Sequence, residues 1–146
     1  IGTHGQDTAV RRQGHGCSKL IEGIVAQRLV RKVCPKCITE FQPSEEMLME
    51  LELTPEEVGD KVFYYGKGCD NCNNTGYRGR TGIYEIMTFN DEIRDLIMNS
   101  ASTAVLREAA IRNGMRTLRQ NGLAAIYDGI TTIEEVARET MAAREE

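Results

Sequence analysis

The pattern Cys-x-x-Cys occurs twice in this chain, as Cys34-Pro35-Lys36-Cys37 and as Cys69-Asp70-Asn71-Cys72. Each copy forms a tight turn that directs two sulfur atoms at one point, and thiolates are ligands that suit Zn²⁺. Residues 38–68 lie between the two copies, which is longer than in a simple zinc ribbon, so this interval is itself a small folded piece. The spacing predicts a structural zinc site with the ligands Cys34, Cys37, Cys69 and Cys72.

Other chemistries are compatible with the same four cysteines. Free thiols in a core are one alternative and disulfides are another, although nothing in the sequence points to the oxidising compartment that disulfides need. A rubredoxin-like iron site uses the same ligands, and spacing does not separate iron from zinc. Four thiolates leave no open coordination position, which favours a structural metal over a catalytic one. Cys17, His4 and His15 lie outside the pattern and receive no role.

The composition is that of a soluble globular protein. Of the 146 residues, 40% are hydrophobic and 27% are charged. The net charge of -4 argues against a nucleic-acid partner, because binding to phosphates needs clustered Lys and Arg. Residues 40–60 contain eight acidic residues and no basic one, and a solvated surface is the simplest reading of that run. Neither a membrane-spanning run nor a secretory signal is present, and the start at Ile1 indicates a fragment or a truncated gene product.

Periodicity and capping residues predict the secondary structure. Apolar residues recur at helical spacing over residues 20–33, which predicts an amphipathic helix that Pro35 ends. Short helical pieces are expected after Ser44 and after Thr54, and strands are expected over residues 61–65 and 77–87. Four further helices are expected over residues 90–98, 102–113, 115–127 and from 132 onward, where Thr132 and Glu135 make a capping box.

Catalytic motifs are missing from the printed sequence. It contains no G-x-x-x-x-G-K-[ST] phosphate loop and no G-x-S-x-G nucleophile motif. The acidic residues are expected to cap helices or lie on the surface, and exposed positions are the simplest reading of Arg78 and Arg80. Taken alone, the chain is expected to have no catalytic site.

From about Glu22 onward, the chain resembles the C-terminal part of the type II secretion and type IV pilus assembly ATPases. The matching stretches are Ala26-Gln27-Arg28-Leu29-Val30-Arg31 before the first cysteine pair, Gly68 with the second pair, Thr75-Gly76-Tyr77-Arg78-Gly79-Arg80-Thr81-Gly82-Ile83-Tyr84-Glu85, Gly114-Met115-x-x-Leu118 with Gly122-Leu123, and Gly129-x-Thr131-Thr132-x-Glu134-Glu135-Val136. They occur in the family's order, and the combination is far more specific than any one of them.

The resemblance implies a part of a hexameric cytoplasmic motor associated peripherally with the inner membrane. In that family the nucleotide-binding core binds ATP and Mg²⁺, and the motor works with an inner-membrane platform protein and cytoplasmic membrane-anchor components. The core's catalytic motifs precede this region, so no catalytic or nucleotide-binding residue carries over, and this chain is expected not to hydrolyse ATP by itself. Cys34, Cys37, Cys69 and Cys72 carry over as zinc ligands.

The expected fold is α+β and mostly helical. A small zinc-knuckle subdomain with a short β-hairpin (residues 34–88) is followed by a C-terminal helical bundle (89–146) and preceded by the last helix of a RecA-like α/β core (20–33). Residues 1–19 are Gly-, Arg- and His-rich and depart from the family, which we attribute to a frame disruption or a partial gene upstream of Leu20. A free-standing zinc-knuckle module that binds protein or nucleic acid is the alternative function, and a rubredoxin-like electron carrier is a third.

Overall fold

Four strands and six helices follow one another in this computed structural model, which describes residues 21–141 of the chain. Their order is β1 (Gly23–Val33), β2 (Ile38–Phe41), α1 (Glu45–Glu50), α2 (Pro55–Val58), β3 (Phe63–Gly66), a 3₁₀ turn (Asp70–Cys72), β4 (Tyr77–Thr88), α3 (Asp91–Met98), α4 (Thr103–Arg112), α5 (Leu118–Tyr127) and α6 (Ile133–Met141). The α+β class with a cysteine-bearing hairpin followed by helices is confirmed. The interpretation of residues 1–19 lies outside the described residues. None of the helices within residues 21–141 has the combined length and hydrophobicity of a membrane span.

Strand β1 occupies the segment that was predicted to be the last helix of a RecA-like core, so that prediction is wrong. The segment is rich in β-branched residues, which favour an extended backbone when a partner strand is available. Ile24, Val25 and Leu29 of the predicted apolar helix face are 50–59% exposed, whereas Val30 and Val33 are buried. Over residues 26–30 the less exposed residues are Ala26, Arg28 and Val30, which alternate with exposed ones as in a strand.

The partner of β1 is β4, and the two strands form an antiparallel ribbon. Near one end the backbone of Gly23 lies against Met87, and near the other Lys32 lies beside Gly79, so the strands run in opposite directions. The predicted strand over residues 77–87 is thus confirmed as β4.

The second sheet is the hairpin of β2 and β3, which pairs antiparallel with Ile38 opposite Gly66 and Phe41 opposite Phe63. The ring of Phe63 is fully buried and packs edge-on against Phe41 and Tyr127. A single apolar core forms around it from the hairpin, α1, α2, α5 and α6; its buried members are Leu48, Leu51, Val58, Phe63, Ile126, Ile133, Val136 and Ala137.

Contacts between backbone atoms divide the chain into two compact units. The described part of one unit comprises residues 26–85 and 116–141, so α5 and α6 belong with the cysteine-bearing segment and not to a separate domain over 89–146. The reason is the core around Phe63, to which both helices contribute buried side chains such as Ile126 and Val136. The other unit comprises residues 21–25 and 86–115, where α3 and α4 pack through Ile93, Ala109 and Ala110.

Most predicted helix starts are confirmed by the side chains that cap them. Thr54 and Glu57 form the capping box of α2, and the side chains of Asn90 and Ser102 accept from the third residue of α3 and α4. At α6 the capping box is only half formed. The Thr132 hydroxyl accepts from the Glu135 backbone N–H at 3.4 Å, but the Glu135 carboxylate bonds to Arg31 instead of the cap backbone.

Candidate metal centre

The first Cys-x-x-Cys turn begins where strand β1 ends. The Cys34 N–H donates to the carbonyl of Gly76 at 2.9 Å, and the Cys37 N–H donates back to the carbonyl of Cys34 at 3.2 Å. Pro35 therefore lies inside a closed turn, and the Cys34 side chain is fully buried. The end of the strand and this turn bring the sulfurs of Cys34 and Cys37 within 4.8 Å of each other.

The second turn is the 3₁₀ turn Asp70–Cys72, in which the Cys72 N–H donates to the Cys69 carbonyl at 3.1 Å. Asn73 and Asn74 follow with φ of 52° and 59°, a left-handed conformation that asparagine tolerates better than most residues. Two left-handed residues turn the chain sharply and bring Gly76 back toward the cysteines. The turn-forming sequence after Cys72 is thus what closes the site.

The four sulfur atoms all lie within 4.8 Å of one another. The Sγ–Sγ distances are 3.8 Å for Cys34–Cys69, 3.9 Å for Cys37–Cys72 and 3.7 Å for Cys69–Cys72. A tetrahedron with metal–sulfur bonds of about 2.3 Å has edges of about 3.8 Å. The donor set and its spacing therefore fit one tetrahedral metal ion, as the sequence predicted. Within residues 21–141 this is the single cluster of three or more Cys, His, Asp or Glu ligands.

Hydrogen bonds to the sulfur atoms surround this cluster. Backbone N–H groups of Cys69 and Gly76 both donate to Cys72 Sγ at 3.3 Å. The Asn71 side-chain amide donates to Cys34 Sγ at 3.3 Å. Such donors disperse the charge that accumulates on the thiolates, and they fix the directions of the Cys34 and Cys72 sulfurs.

The thiols differ in acidity because of these contacts. The Asn71 amide is the main reason that the pKa of Cys34 lies below its usual value. Burial acts to raise the pKa of Cys72, but the N–H groups of Cys69 and Gly76 outweigh it and lower that pKa to about 6. Burial, with no backbone donor strong enough to offset it, raises the pKa of Cys37 to about 12. The contacts of Cys72 therefore favour its thiolate, which is the form that binds a metal.

Arg78 extends the contacts of the site to strand β4. Its guanidinium donates to the backbone carbonyl of Asn71 at 2.5 Å and also to the Asn71 side-chain oxygen. Because the Asn71 amide nitrogen donates to Cys34, the order Arg78, Asn71, Cys34 forms a chain of hydrogen bonds. The sequence does not predict this role. Arg78 lies on an exposed strand, as expected, but the spacing does not show which exposed arginine reaches the second turn.

Gly66 and Gly76 bring the β2–β3 hairpin against the second turn. A Cβ atom on Gly66 would lie 2.1 Å from the carbonyl oxygen of Gly76, which no side chain tolerates. Lys67 follows Gly66, and its N–H donates to the carbonyl of Cys37 at 3.1 Å. The hairpin and both cysteine turns are therefore in direct backbone contact.

Comparison of the sequence with known proteins identifies the family. A profile of the family described as "Type II/IV secretion system protein" matches residues 10–138, a range that includes part of the unassigned segment 1–19. The type IV pilus assembly ATPase PilB of Thermus thermophilus is 43% identical over 124 residues, which are 85% of this chain and 14% of that protein. PilB of Myxococcus xanthus is 44% identical over 118 residues, 80% of this chain and 21% of that protein.

The type II secretion branch matches as well. The type II secretion system protein E of Pseudomonas aeruginosa is 39% identical over 118 residues, which are 81% of this chain and 23% of that protein. The chain thus spans less than a quarter of the length of each of these three relatives. With a family profile over most of its length and relatives above 30% identity, the chain belongs to the type II/IV secretion system protein family.

Proposed function

We propose that Cys34, Cys37, Cys69 and Cys72 hold one structural zinc ion. The observation that carries this is the spacing of the four sulfurs, which all lie within 4.8 Å of one another and have three Sγ–Sγ distances of 3.7–3.9 Å, the edge length of a tetrahedron of metal-bound sulfurs. With four protein ligands the ion has no free position for a substrate, so its contribution is to folding. It joins the end of β1 and the start of β2 to the segment between β3 and β4, which are distant from each other in sequence.

We further propose that the chain is the C-terminal segment of a hexameric ATPase that powers type II secretion or type IV pilus assembly. Relatives named for both activities support this, and their identities of 43%, 44% and 39% overlap too closely to favour one branch. In the longer protein, ATP and Mg²⁺ would bind outside this segment. The segment alone, whose printed sequence has no phosphate loop, would not hydrolyse ATP.

The location and partners of that motor belong to the same proposal. It would act in the cytoplasm at the inner membrane, together with a platform protein in that membrane and cytoplasmic membrane-anchor components. The acidic net charge of -4 supports protein partners and not nucleic acid.

Metal analysis of the purified chain tests the zinc. We expect one zinc and no iron per chain by elemental analysis, with release on treatment with a chelator. Cys72→Ser removes one ligand and is expected to abolish stable binding, whereas Ser100→Ala, a change far from the cysteines in sequence, should keep it. Iron with a visible thiolate absorption band would instead identify a rubredoxin-like site.

A chimera tests the motor. The matching segment of Thermus thermophilus PilB is replaced by residues 22–141 of this chain, and pilus assembly is measured in cells that lack their own PilB. We expect the chimera to restore pili and its Cys72→Ser variant to lose them. If a folded, zinc-loaded chimera assembles no pili and no ATPase hexamer, the chain is better explained as a free-standing zinc-knuckle module.

A further inference from the structure

An open cavity of about 220 Å³ lies beside the metal centre and contains none of its cysteines. Its walls come from the β2–β3 hairpin, from α1, from residues 75–77 and from the start of α6. The side chains that define its chemistry are Phe41, Met47, Tyr65, Tyr77, Thr132 and Glu134. All of these belong to the unit formed by residues 26–85 and 116–141.

Three hydroxyl groups of the wall, those of Thr75, Tyr77 and Thr132, are already hydrogen-bonded. The Tyr77 hydroxyl and the Thr132 hydroxyl are 2.9 Å apart, and the Thr75 hydroxyl donates to the Cys72 carbonyl at 2.6 Å. Glu134, an exposed residue in the first turn of α6, makes no hydrogen bond or ion pair within residues 21–141, and its charge acts on the nearby guanidinium of Arg31. The cavity therefore presents apolar surface with one carboxylate at its rim.

Aromatic rings make the apolar surface attractive to a cation. Phe41 and Tyr65 meet edge to face, with centroids 5.5 Å apart, and Tyr77 adds a third ring. The face of Tyr77 already holds a cation, because the Arg31 guanidinium lies 4.1 Å from its centroid. Within residues 21–141 no cation lies over Phe41 or Tyr65. Ring faces attract ammonium and guanidinium groups, while the thioether of Met47 suits the aliphatic stem of such a side chain.

The cation Arg31 lies over the Tyr77 ring, and the other charged residues named at the cavity are acidic. No Lys or Arg lines it, and α1, which contributes Met47, begins with the exposed acids Glu45 and Glu46. These acids belong to the run over residues 40–60 that has eight acidic residues and no basic one. A field of one sign steers an oppositely charged partner to the surface.

We propose that this cavity is a docking site for a basic segment of a partner protein, which inserts one Lys or Arg side chain between Phe41, Tyr65 and Glu134. One wall of the cavity is in contact with the metal centre. The Thr75 hydroxyl donates to the Cys72 carbonyl, and Gly66 lies against the backbone of Gly76. The proposal therefore requires a metal-loaded chain, and metal content is measured before any binding experiment. Loss of the metal and loss of docking are then separate results.

The test is an NMR titration of the ¹⁵N-labelled, metal-loaded chain with the peptide acetyl-Gly-Lys-Gly-Lys-Gly-amide at an ionic strength of about 0.15 M. The same peptide with norleucine in place of lysine keeps the aliphatic stem and removes the charge. We expect saturable shifts of the Gly66, Thr75 and Glu134 amides, and affinity about two- to fivefold lower for the norleucine peptide.

Three variants complete the experiment. Tyr65→Ala and Glu134→Gln, both at exposed positions, are each expected to weaken lysine-peptide binding about two- to fivefold. Glu56→Gln removes an exposed acid of the same acidic run that does not line the cavity, and is expected to leave binding unchanged. Equal binding of the two peptides, shifts away from the cavity, or equal effects of Glu56→Gln and Glu134→Gln would each overturn the proposal.

Discussion

Arg31 on β1 and Glu135 on α6 are joined through both oxygens of the carboxylate. The Arg31 guanidinium donates to Oε1 from Nε at 3.0 Å and from Nη2 at 2.7 Å, while the Arg31 backbone N–H donates to Oε2 at 2.9 Å. Glu135 is only 1% exposed, whereas the Arg31 side chain is 44% exposed. Arg138 also contacts Oε1, at 3.0 Å. One buried carboxylate thus anchors the C-terminal helix to the strand that leads into Cys34.

The first prediction concerns the stability that this carboxylate contributes. Glu135→Ala leaves the Arg31 backbone N–H without its acceptor, and is expected to lower the free energy of unfolding by about 2–4 kcal/mol. Arg31→Ala keeps the backbone donor and the Arg138 contact, so a smaller loss of about 1–2 kcal/mol is expected. Urea denaturation of metal-loaded protein measures both values.

The control for that series is Arg138→Ala. The Arg138 side chain is 58% exposed and contacts the same carboxylate. The substitution therefore removes an ion pair whose cation is largely in solvent, and it is expected to cost less than about 1 kcal/mol. Equal losses for Glu135→Ala and Arg138→Ala would contradict a special role for the backbone and guanidinium contacts of Arg31.

The second prediction is the pH dependence of the same contact. Burial acts to raise the pKa of Glu135, but hydrogen bonds and charge from Arg31 outweigh it, so the pKa lies below its usual value. The unfolded carboxyl group has a pKa of about 4.3. Because the folded pKa is lower, the stabilisation is complete above the unfolded pKa and is lost as the pH falls through the folded one.

Comparison with Glu135→Gln measures that dependence. The difference in unfolding free energy between the native chain and this variant should be constant near neutral pH and shrink below about pH 4.3. Acid release of metal affects both proteins alike, so it cancels in the difference. A difference that grows on acidification would mean that the folded pKa is raised and not lowered.

Glu135 also shows what local sequence patterns miss. Thr132 and Glu135 have the spacing of a capping box, and the pattern correctly located the start of α6. A capping box involves only residues that are close in sequence. Here the Glu135 carboxylate accepts hydrogen bonds from Arg31, which is 104 residues away. The same reason explains the error over residues 20–33, because β1 is a strand by virtue of its partner β4, and helical spacing says nothing of a distant partner.

The candidate site was more predictable than the fold around it. The geometry of a Cys-x-x-Cys turn depends mostly on residues close in sequence, so the spacing alone predicted that the four sulfurs would lie together. In the structure they lie within 4.8 Å of one another. The turn residues after Cys72 predicted that a backbone amide would approach the sulfurs, and Gly76 does so. Asn71 and Arg78 were not predicted, since their contacts depend on side-chain directions across the turn and β4.

The third prediction tests those two residues. Asn71→Ala removes the amide that donates to Cys34, and Arg78→Ala removes the group that orients that amide. Both variants are expected to release the bound zinc faster, with affinity reduced about tenfold, because partners of metal ligands commonly contribute on that scale. Competition with a chromophoric chelator measures rate and affinity.

Arg80→Ala is the matched control for Arg78→Ala, since it removes an exposed arginine from the same strand with no contact to Asn71. Its zinc release should equal that of the native chain. The hydrogen-bond chain is excluded if Arg78→Ala and Arg80→Ala behave alike while Asn71→Ala releases zinc quickly.

The fourth prediction concerns the close contact of α5 and α6 at Gly122. A Cβ atom there would lie 2.4 Å from Cγ1 of Val136, a side chain that is fully buried. Alanine is a better helix former than glycine by about 1 kcal/mol, so Gly122→Ala would stabilise an unhindered helix. The overlap reverses the sign, because overpacking a core costs about 1–3 kcal/mol.

Val136→Ala removes the overlapping methyl groups and therefore provides the test. Gly122→Ala is expected to destabilise the native chain but to be neutral or stabilising in the Val136→Ala background, with an interaction energy of about 1–3 kcal/mol in the double-mutant cycle. Ala124→Gly, at an exposed position of α5, reports helix propensity alone and should cost about 1 kcal/mol in both backgrounds. Additive effects of Gly122→Ala and Val136→Ala would show that the two helices relax apart, and that the contact at Gly122 does not set their separation.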